Sequence, residues 1–332
     1  MSGRLEVRVT PDDVGKRVSV RSLTGAADGS GRFTDTLGVL TSWTGGVLRV
    51  TRRDGEVVAL EQSALVAAKV VPAAPARRRG LPAAGVAELT RVADRGWPAA
   101  EREPLGEWVL RASGGFTRRA NSLLPLGDPG MPLDAALERV TAWYAARGLP
   151  AYAQLSAGAA DSDEELAAAL AARGWVREVS ADVLVGGLAP LADRAADTAP
   201  VECGRDVGPP WLLRYRGIAE PSPHVWRVLR GGPSVWFATV PGDGPDTAPA
   251  ATGRCVVDGR WAGFAAVEVD PARRREGLAT AVMAALARQA LAEGASAAWL
   301  QAEADNEGAH ALYNRLGFAA HHSYQHWRAP RG

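Results

Sequence analysis

Hydrophobic and polar positions follow two rhythms along the chain. Over residues 1–75 apolar residues alternate in short runs, KRVSVRSL, DTLGVLTSW, GVLRVTRR and EVVALEQSALVAAKVV, separated by turn-forming residues. Period-two alternation predicts strands, and Asp54-Gly55 between two runs predicts a hairpin. Short, closely spaced strands without a long helix predict a small, strongly bent all-β barrel. The next stretch, PAAPARRRGLPAAG over residues 72–85, has Pro and Gly at both ends and no periodicity, which predicts a linker centred on 76–85. Its RRR run reads as a solvated face, with phosphate contact as the alternative.

From residue 86 onward helices alternate with strands, the signature of a layered α/β domain. The pattern also repeats. DAALERVTAWYAARG, PAYAQLS, DEELAAALAARG and WVREVSADVLV in the middle of the chain are echoed by LATAVMAALARQALAEG, AAWLQAEA, NEGAHALYNRLG and FAAHHSYQHW near its end. Each helix closes on a glycine: Gly148 and Gly174 in the first copy, Gly294 and Gly317 in the second. Those positions suit the left-handed residue that ends a helix. Two copies of one unit account for the pattern, the period being too long and the count too low for a solenoid.

Composition narrows the possibilities. The 332 residues include 38 Lys and Arg against 37 Asp and Glu, a formal charge of +1, so bulk charge points to neither nucleic acid nor anionic membrane. Two cysteines, Cys203 and Cys255, make no disulfide framework and no metal-type spacing, which suits a reducing compartment. The start, MSGRLEVRVTPDD, lacks the apolar core of a signal peptide, and no run is long enough to cross a bilayer. A soluble, cytoplasmic protein is expected, as monomer or homodimer. His321, His322 and His326 fall on different faces of one strand, which argues against a metal site.

One turn carries unexpected chemistry. GRWAGFAAVEVDP reads as a strand, Leu278, Val282 and Leu286 share one helical face, and DPARRREG joins the two. The turn thus delivers arginines to a helix N-terminus, where free N–H groups and the macrodipole favour an anion. Gly277 allows close backbone approach, Ala279 keeps the first turn uncrowded, and Arg274 and Arg275 offer planar forks for phosphate oxygens. Neither the Gly-Lys-Ser/Thr of a P-loop nor G-x-G-x-x-G is present.

Arg274 to Ala279, R-R-E-G-L-A, resembles the R/Q-x-x-G-x-G/A signature of the GCN5-related N-acetyltransferases (GNAT). Asn306, Ala309, Leu312, Tyr313, Gly317 and Phe318 reproduce the family's downstream pattern N-x-x-A-x-x-L-Y-x-x-x-G-F. The resemblance is close over residues 200–330 and holds in outline over 86–190. It implies an α/β (α+β GNAT) fold, a mixed sheet flanked by helices, with a degenerate GNAT-like half at 86–190 and a catalytic domain at 200–332. Residues 1–75 resemble Src-homology-3-like (SH3-like) barrels in architecture. The domain order, with the phrase GGFTRRANSLLPLGDPG, resembles an actinobacterial subfamily of these enzymes.

The resemblance implies acetyl-CoA, or another acyl-CoA, as cofactor, bound by Val267, Val269, Arg274, Arg275, Glu276, Gly277, Leu278, Ala279, Thr280 and Asn306. It makes Tyr313 the acid that protonates the departing thiolate, against the plainer reading of a ring packed on the sheet. Asn306 suits an N-cap and, in the family, a pantetheine contact as well. Glu268, opposite in face to Val267 and Val269, is the candidate base, or else a solvent-facing glutamate. Glu303 is the reserve base or an amine anchor, and the Val269 N–H a donor to the thioester carbonyl. Arg118, beside Arg119, reaches the substrate or forms a surface ion pair. In the first copy Leu170 stands opposite Tyr313 and the turn LGDPGMPLD lacks arginine, so that half keeps the scaffold without the cofactor site. The expected activity is acetyl transfer to a primary amine, of a small molecule or peptide, in a ternary complex. The alternative is a non-catalytic acyl-CoA sensor.

Overall fold

The structure is a computed structural model that describes residues 7–24, 32–52, 56–71, 81–194, 201–244 and 247–331. They fall into two compact units, Met1–Ala76 with Leu291–Gly294, and Arg77–Ala290 with Ala295–Gly332.

In the first unit the alternating runs become β1 (Arg17–Thr24), β2 (Arg32–Thr44), β3 (Val47–Thr51), β4 (Val57–Glu61) and β5 (Leu65–Val70). They form an antiparallel sheet in the order β4-β3-β2-β1-β5, the last strand returning to pair with the first. Val18, Val20, Leu40, Leu48 and Val50 are buried by the alternation and build its core. The expected barrel is met as far as this sheet. Among the described residues no ladder joins β4 to β5, so the sheet is open. Asp54-Gly55 and most of the expected linker, with its three arginines, lie outside the described residues.

The second unit opens with α1 (Val86–Gly96) and a small sheet of β6 (Glu101–Leu105), β7 (Trp108–Ala112) and β8 (Leu124–Pro125). The first copy continues as α2 (Leu133–Ala145), β9 (Tyr152–Ala157), α3 (Glu164–Ala171) and β10 (Val176–Gly187). Next come α4 (Leu188–Ala192), β11 (Glu202–Gly204), α5 (Pro209–Arg214), α6 (Pro223–Arg230), β12 (Val235–Val240), β13 (Ala251–Asp258) and β14 (Trp261–Val269). The second copy closes the chain with α7 (Leu278–Ala292), β15 (Ala297–Glu303), α8 (Glu307–Arg315) and β16 (Phe318–Arg328). Gly148, Gly174, Gly294 and Gly317 all have left-handed φ, between +64° and +97°, where the sequence places helix ends.

Strand order in the eight-stranded sheet is β11-β12-β13-β14-β15-β10-β16-β9. The two copies are therefore interleaved. β10 of the first copy lies antiparallel between β15 and β16, while β16 of the second lies antiparallel between β10 and β9. Exchanging the copies leaves the order β15-β10-β16-β9 unchanged, a local two-fold relation.

Packing fixes where β13, β14 and α7 run. Gly253 on β13 leaves room for α7, since a Cβ there would lie 2.3 Å from Cγ1 of Val282. Gly263 on β14 does the same for the Trp299 ring, also 2.3 Å from a Cβ. Arg254, 1% exposed, donates to the carbonyls of Gly96 at 3.0 Å, Leu229 at 2.7 Å and Gly231 at 2.6 Å. Its charge thus sits on the carbonyl-rich ends of α1 and α6, which compensates its burial without a carboxylate.

Candidate active site

β14 and β15 run parallel and in register from Trp261–Ala297 to Phe264–Leu300, and there the ladder stops. β14 continues along β13 alone, past a bulge at which Ala266 takes φ +54°. A cleft of about 710 Å³ opens at the separation. The bulge and the parting strands leave main-chain groups without a ladder partner on one side. Asp270 N–H bonds the Ala250 carbonyl at 2.8 Å, so antiparallel alternation turns the neighbouring Val269 amide away from β13, toward the gap.

Glu268, Val267, Tyr313, Asn306, Glu303 and Arg118 all line this cleft. Glu268 is half-buried and accepts the Arg216 N–H at 3.3 Å. Burial raises its carboxyl above the usual range, opposed by that N–H and by the charges of Arg216 and Arg214. Arg216 follows α5 with φ +65°, so residues between the two copies supply this neighbour. Sequence patterning carries no signal for it, because α5 meets β14 only in the tertiary fold.

Tyr313 stands on α8 with its ring edge-on to Phe318 at 6.0 Å. Burial pushes its hydroxyl up to about 12, so it keeps its proton. That hydroxyl has no hydrogen-bond partner among the described residues. Asn306 caps α8, its Oδ1 accepting the Ala309 N–H at 3.0 Å, which leaves its Nδ2 as a donor. Glu303 is exposed at the end of β15, and its carbonyl lies 3.2 Å from His310 Nε2.

The arginine turn lies beyond the lining of the cleft. A short 3-10 turn, Pro271–Arg273, is held by Asp270, whose carboxylate accepts Ala272 N–H at 2.9 Å and pairs with Arg214. Arg273 binds the Glu276 carboxylate at 2.8 and 2.9 Å. That assigns the Glu276 side chain to bracing the turn and leaves only its backbone to face a ligand. Arg275 at φ +69° and Gly277 at φ +80° then reverse the chain into α7. The first helical bond runs from Ala281 N–H to the Gly277 carbonyl at 3.0 Å, so the amides of Gly277, Leu278, Ala279 and Thr280 precede any intrahelical acceptor. Arg274 and Arg275 are exposed and form no ion pair among the described residues. Four free amides and two free guanidiniums fit a diphosphate, and the parted strands fit an extended, amide-bearing arm.

The first-copy side of the cleft holds residues that the sequence reading did not bring together. Arg118 lies 3.6 Å from Glu178 and 4.9 Å over the Tyr152 ring, so it forms the ion pair while also lining the cleft. Arg119 donates to the Gln301 amide oxygen and sits 4.7 Å over Trp97. Tyr324 and His326 of β16 complete this wall, a consequence of the interleaving. At the place in the first copy that corresponds to the arginine turn, a separate cavity of about 820 Å³ is lined by Asp128, Asp161, Asp163, Glu164 and Glu165. Those carboxylates repel a diphosphate, and Leu170 is fully buried.

Residues 83–327 match the family described as "Probable histone acetyltransferase Rv0428c C-terminal". The chain belongs to this family of GNAT acetyltransferases. A relative named "Probable histone acetyltransferase Rv0428c", from Mycobacterium tuberculosis, is 34% identical over 136 residues, 41% of this chain and 42% of its own length. The chain thus matches less than half of that protein. "Uncharacterized N-acetyltransferase YobR" from Bacillus subtilis is 26% identical over 260 residues, 74% of this chain and 99% of the relative. Among solved structures, a "GCN5-related N-acetyltransferase from Kribbella flavida" superposes with a TM-score of 0.55 at 20% identity, covering 75% of this chain and 98% of that one. The last likeness establishes the fold. Among the described residues no helix is long and apolar enough to cross a membrane.

Proposed function

We propose that this protein is an acetyl-CoA-dependent N-acetyltransferase that acts on a primary amine by direct attack in a ternary complex. The observation that carries the reading is the end of the β14–β15 ladder at Phe264–Leu300, which opens a cleft lined by both Glu268 and Tyr313. Acetyl-CoA, when bound, supplies an activated thioester. Gly277 to Thr280 offer amides to its diphosphate, Arg274 and Arg275 offer charge, and Val267 and Asn306 Nδ2 bond the pantetheine arm. The Val269 N–H donates to the acyl carbonyl oxygen, where negative charge develops. Glu268, its affinity for protons raised by burial, takes the proton of the attacking amine, directly or through water. Tyr313, protonated at neutral pH, donates to the departing sulfur.

The halves divide this labour, residues 200–332 holding cofactor and catalysts while residues 86–190 wall the acceptor. Glu303 anchors the amine. The return of β5 to β1 supports an SH3-like fold for residues 1–75, and the domain order supports the actinobacterial subfamily. Thiol release from acetyl-CoA across an amine library tests the activity, with calorimetry for cofactor binding. Tyr313→Phe should abolish most turnover while acetyl-CoA still binds. Unchanged turnover would refute Tyr313 as the acid, and binding without turnover of any amine by the wild type would favour a sensor.

A further inference from the structure

His326 stands out in the cleft because its chemistry is unspent. Its side chain is buried, 3% exposed, and neither Nδ1 nor Nε2 has a hydrogen-bond partner among the described residues. Polar groups buried this deeply are nearly always bonded, and one left unpaired at the wall of a cleft is placed to be completed by what enters it. The ring is wedged edge-on between Tyr324 at 5.4 Å and Tyr152 at 6.3 Å, and all three residues line the cleft. Burial, with Arg118, Arg111 and Arg119 nearby, holds the imidazole well below its usual range, so at neutral pH it has one N–H to give.

Charge around it is unbalanced. Glu178 is shared by Arg118 and Arg328, and Asp94 by Arg102 and Arg111. Arg119 has no carboxylate at all among the described residues, its guanidinium meeting the neutral Gln301 amide. Across the cleft stand the carboxylates Glu268 and Glu303. Glu303 on β15 is two strand steps from Tyr324 on β16, through Ala181, a spacing of about 10 Å. Arg216 also lines the cleft, beside Glu268, so the side with the parted strands carries two carboxylates against one arginine, while the first-copy wall is cationic.

Resting on the acetyltransferase reading, we propose that His326, Arg118 and Arg119 form a subsite for the far end of the acceptor, and that this end is a carboxylate. The acceptor is then an amino acid or a short peptide with a free C-terminus. Its amine is held by Glu268 and Glu303, and its carboxylate takes the His326 N–H and the guanidinium of Arg119, which no carboxylate pairs among the described residues. A polycationic peptide meets like charge on the first-copy wall.

The test is thiol release from acetyl-CoA with amino acids, including amines separated from the carboxylate by a variable chain, against the matching carboxamides. Phosphoethanolamine and an amidated lysine-rich peptide complete the panel. The acid should exceed its amide in kcat/KM by about 10- to 100-fold, the range of a charge-assisted hydrogen bond. His326→Phe and Arg119→Met should bring that ratio toward one through acceptor KM, with acetyl-CoA affinity unchanged. His326→Gln and Arg119→Lys should keep part of it. Amides equal to acids, a preference for the phosphate or the basic peptide, or an unchanged ratio in the variants overturns the proposal. The wild-type comparison needs no variant to fold. If no amine is turned over, titration of the free protein still decides, because carboxylates and not amides must shift the His326 ring resonances. Failure of acetyl-CoA to bind, by contrast, strikes the acetyltransferase reading alone.

Discussion

Glu268 accepts the backbone N–H of Arg216 at 3.3 Å, a hydrogen bond that spans 52 residues and joins the end of α5 to the free edge of β14. It holds the candidate base at the mouth of the β14–β15 gap. Since burial raises its carboxyl, the rate should climb with pH through a point above the ordinary glutamate range. Glu268→Gln should cut kcat/KM by about 10²-fold or more and remove that acid limb from the pH–rate profile.

The same shift has a stability consequence of opposite sense. A raised folded-state value means the native protein binds this proton more tightly than the unfolded chain, so its contribution is present at low pH and lost as pH rises through the folded value. Glu268→Gln should therefore gain stability over wild type at neutral pH and lose that advantage in acid. Urea denaturation at several pH values measures it.

Tyr313→Phe should lower kcat by about 10² to 10⁴, the range for a lost general acid, with calorimetric affinity for acetyl-CoA unchanged. With its hydroxyl near 12, no alkaline limb from Tyr313 should appear within the ordinary assay range.

Gly277 has φ +80°, and its amide is among those left free at the start of α7. Gly277→Val should strain the turn and crowd the approach of a diphosphate, weakening acetyl-CoA binding by about tenfold or more. Circular dichroism should stay unchanged. Arg274→Ala with Arg275→Ala should weaken binding too and flatten its dependence on salt.

Asp94, buried, binds Arg102 at 2.6 Å and the buried Arg111 at 3.0 Å. Burial alone would raise its carboxyl, but the two arginines outweigh it and hold the group below its ordinary value. Asp94→Ala leaves Arg111 uncompensated and should cost about 3–5 kcal/mol in denaturant unfolding. In wild type this contribution is present above the unfolded carboxylate range and lost as pH falls through the folded value.

Much of this molecule was legible because it is local. Apolar period placed α2, α3, α7 and α8 within a few residues, and four glycines marked helix ends. The spacing from Arg274 to Ala279, and from Asn306 to Phe318, pointed to the family that residues 83–327 match. Strand order was not legible, because pairing β10 with β15 and β16 depends on contacts more than a hundred residues apart. For that reason the sequence does not place Tyr324 and His326 of β16 beside Arg118. Arg216 is illegible likewise, as a left-handed arginine after a short helix has no signature of its own.

The interleaving of β10 and β16 ties the two copies into one sheet. A fragment beginning at residue 200 would lack β10, so β15 and β16 would flank an empty slot and present bare edges to solvent. Either half alone therefore leaves the sheet unfinished. The half whose turn carries no arginine completes the sheet of the other.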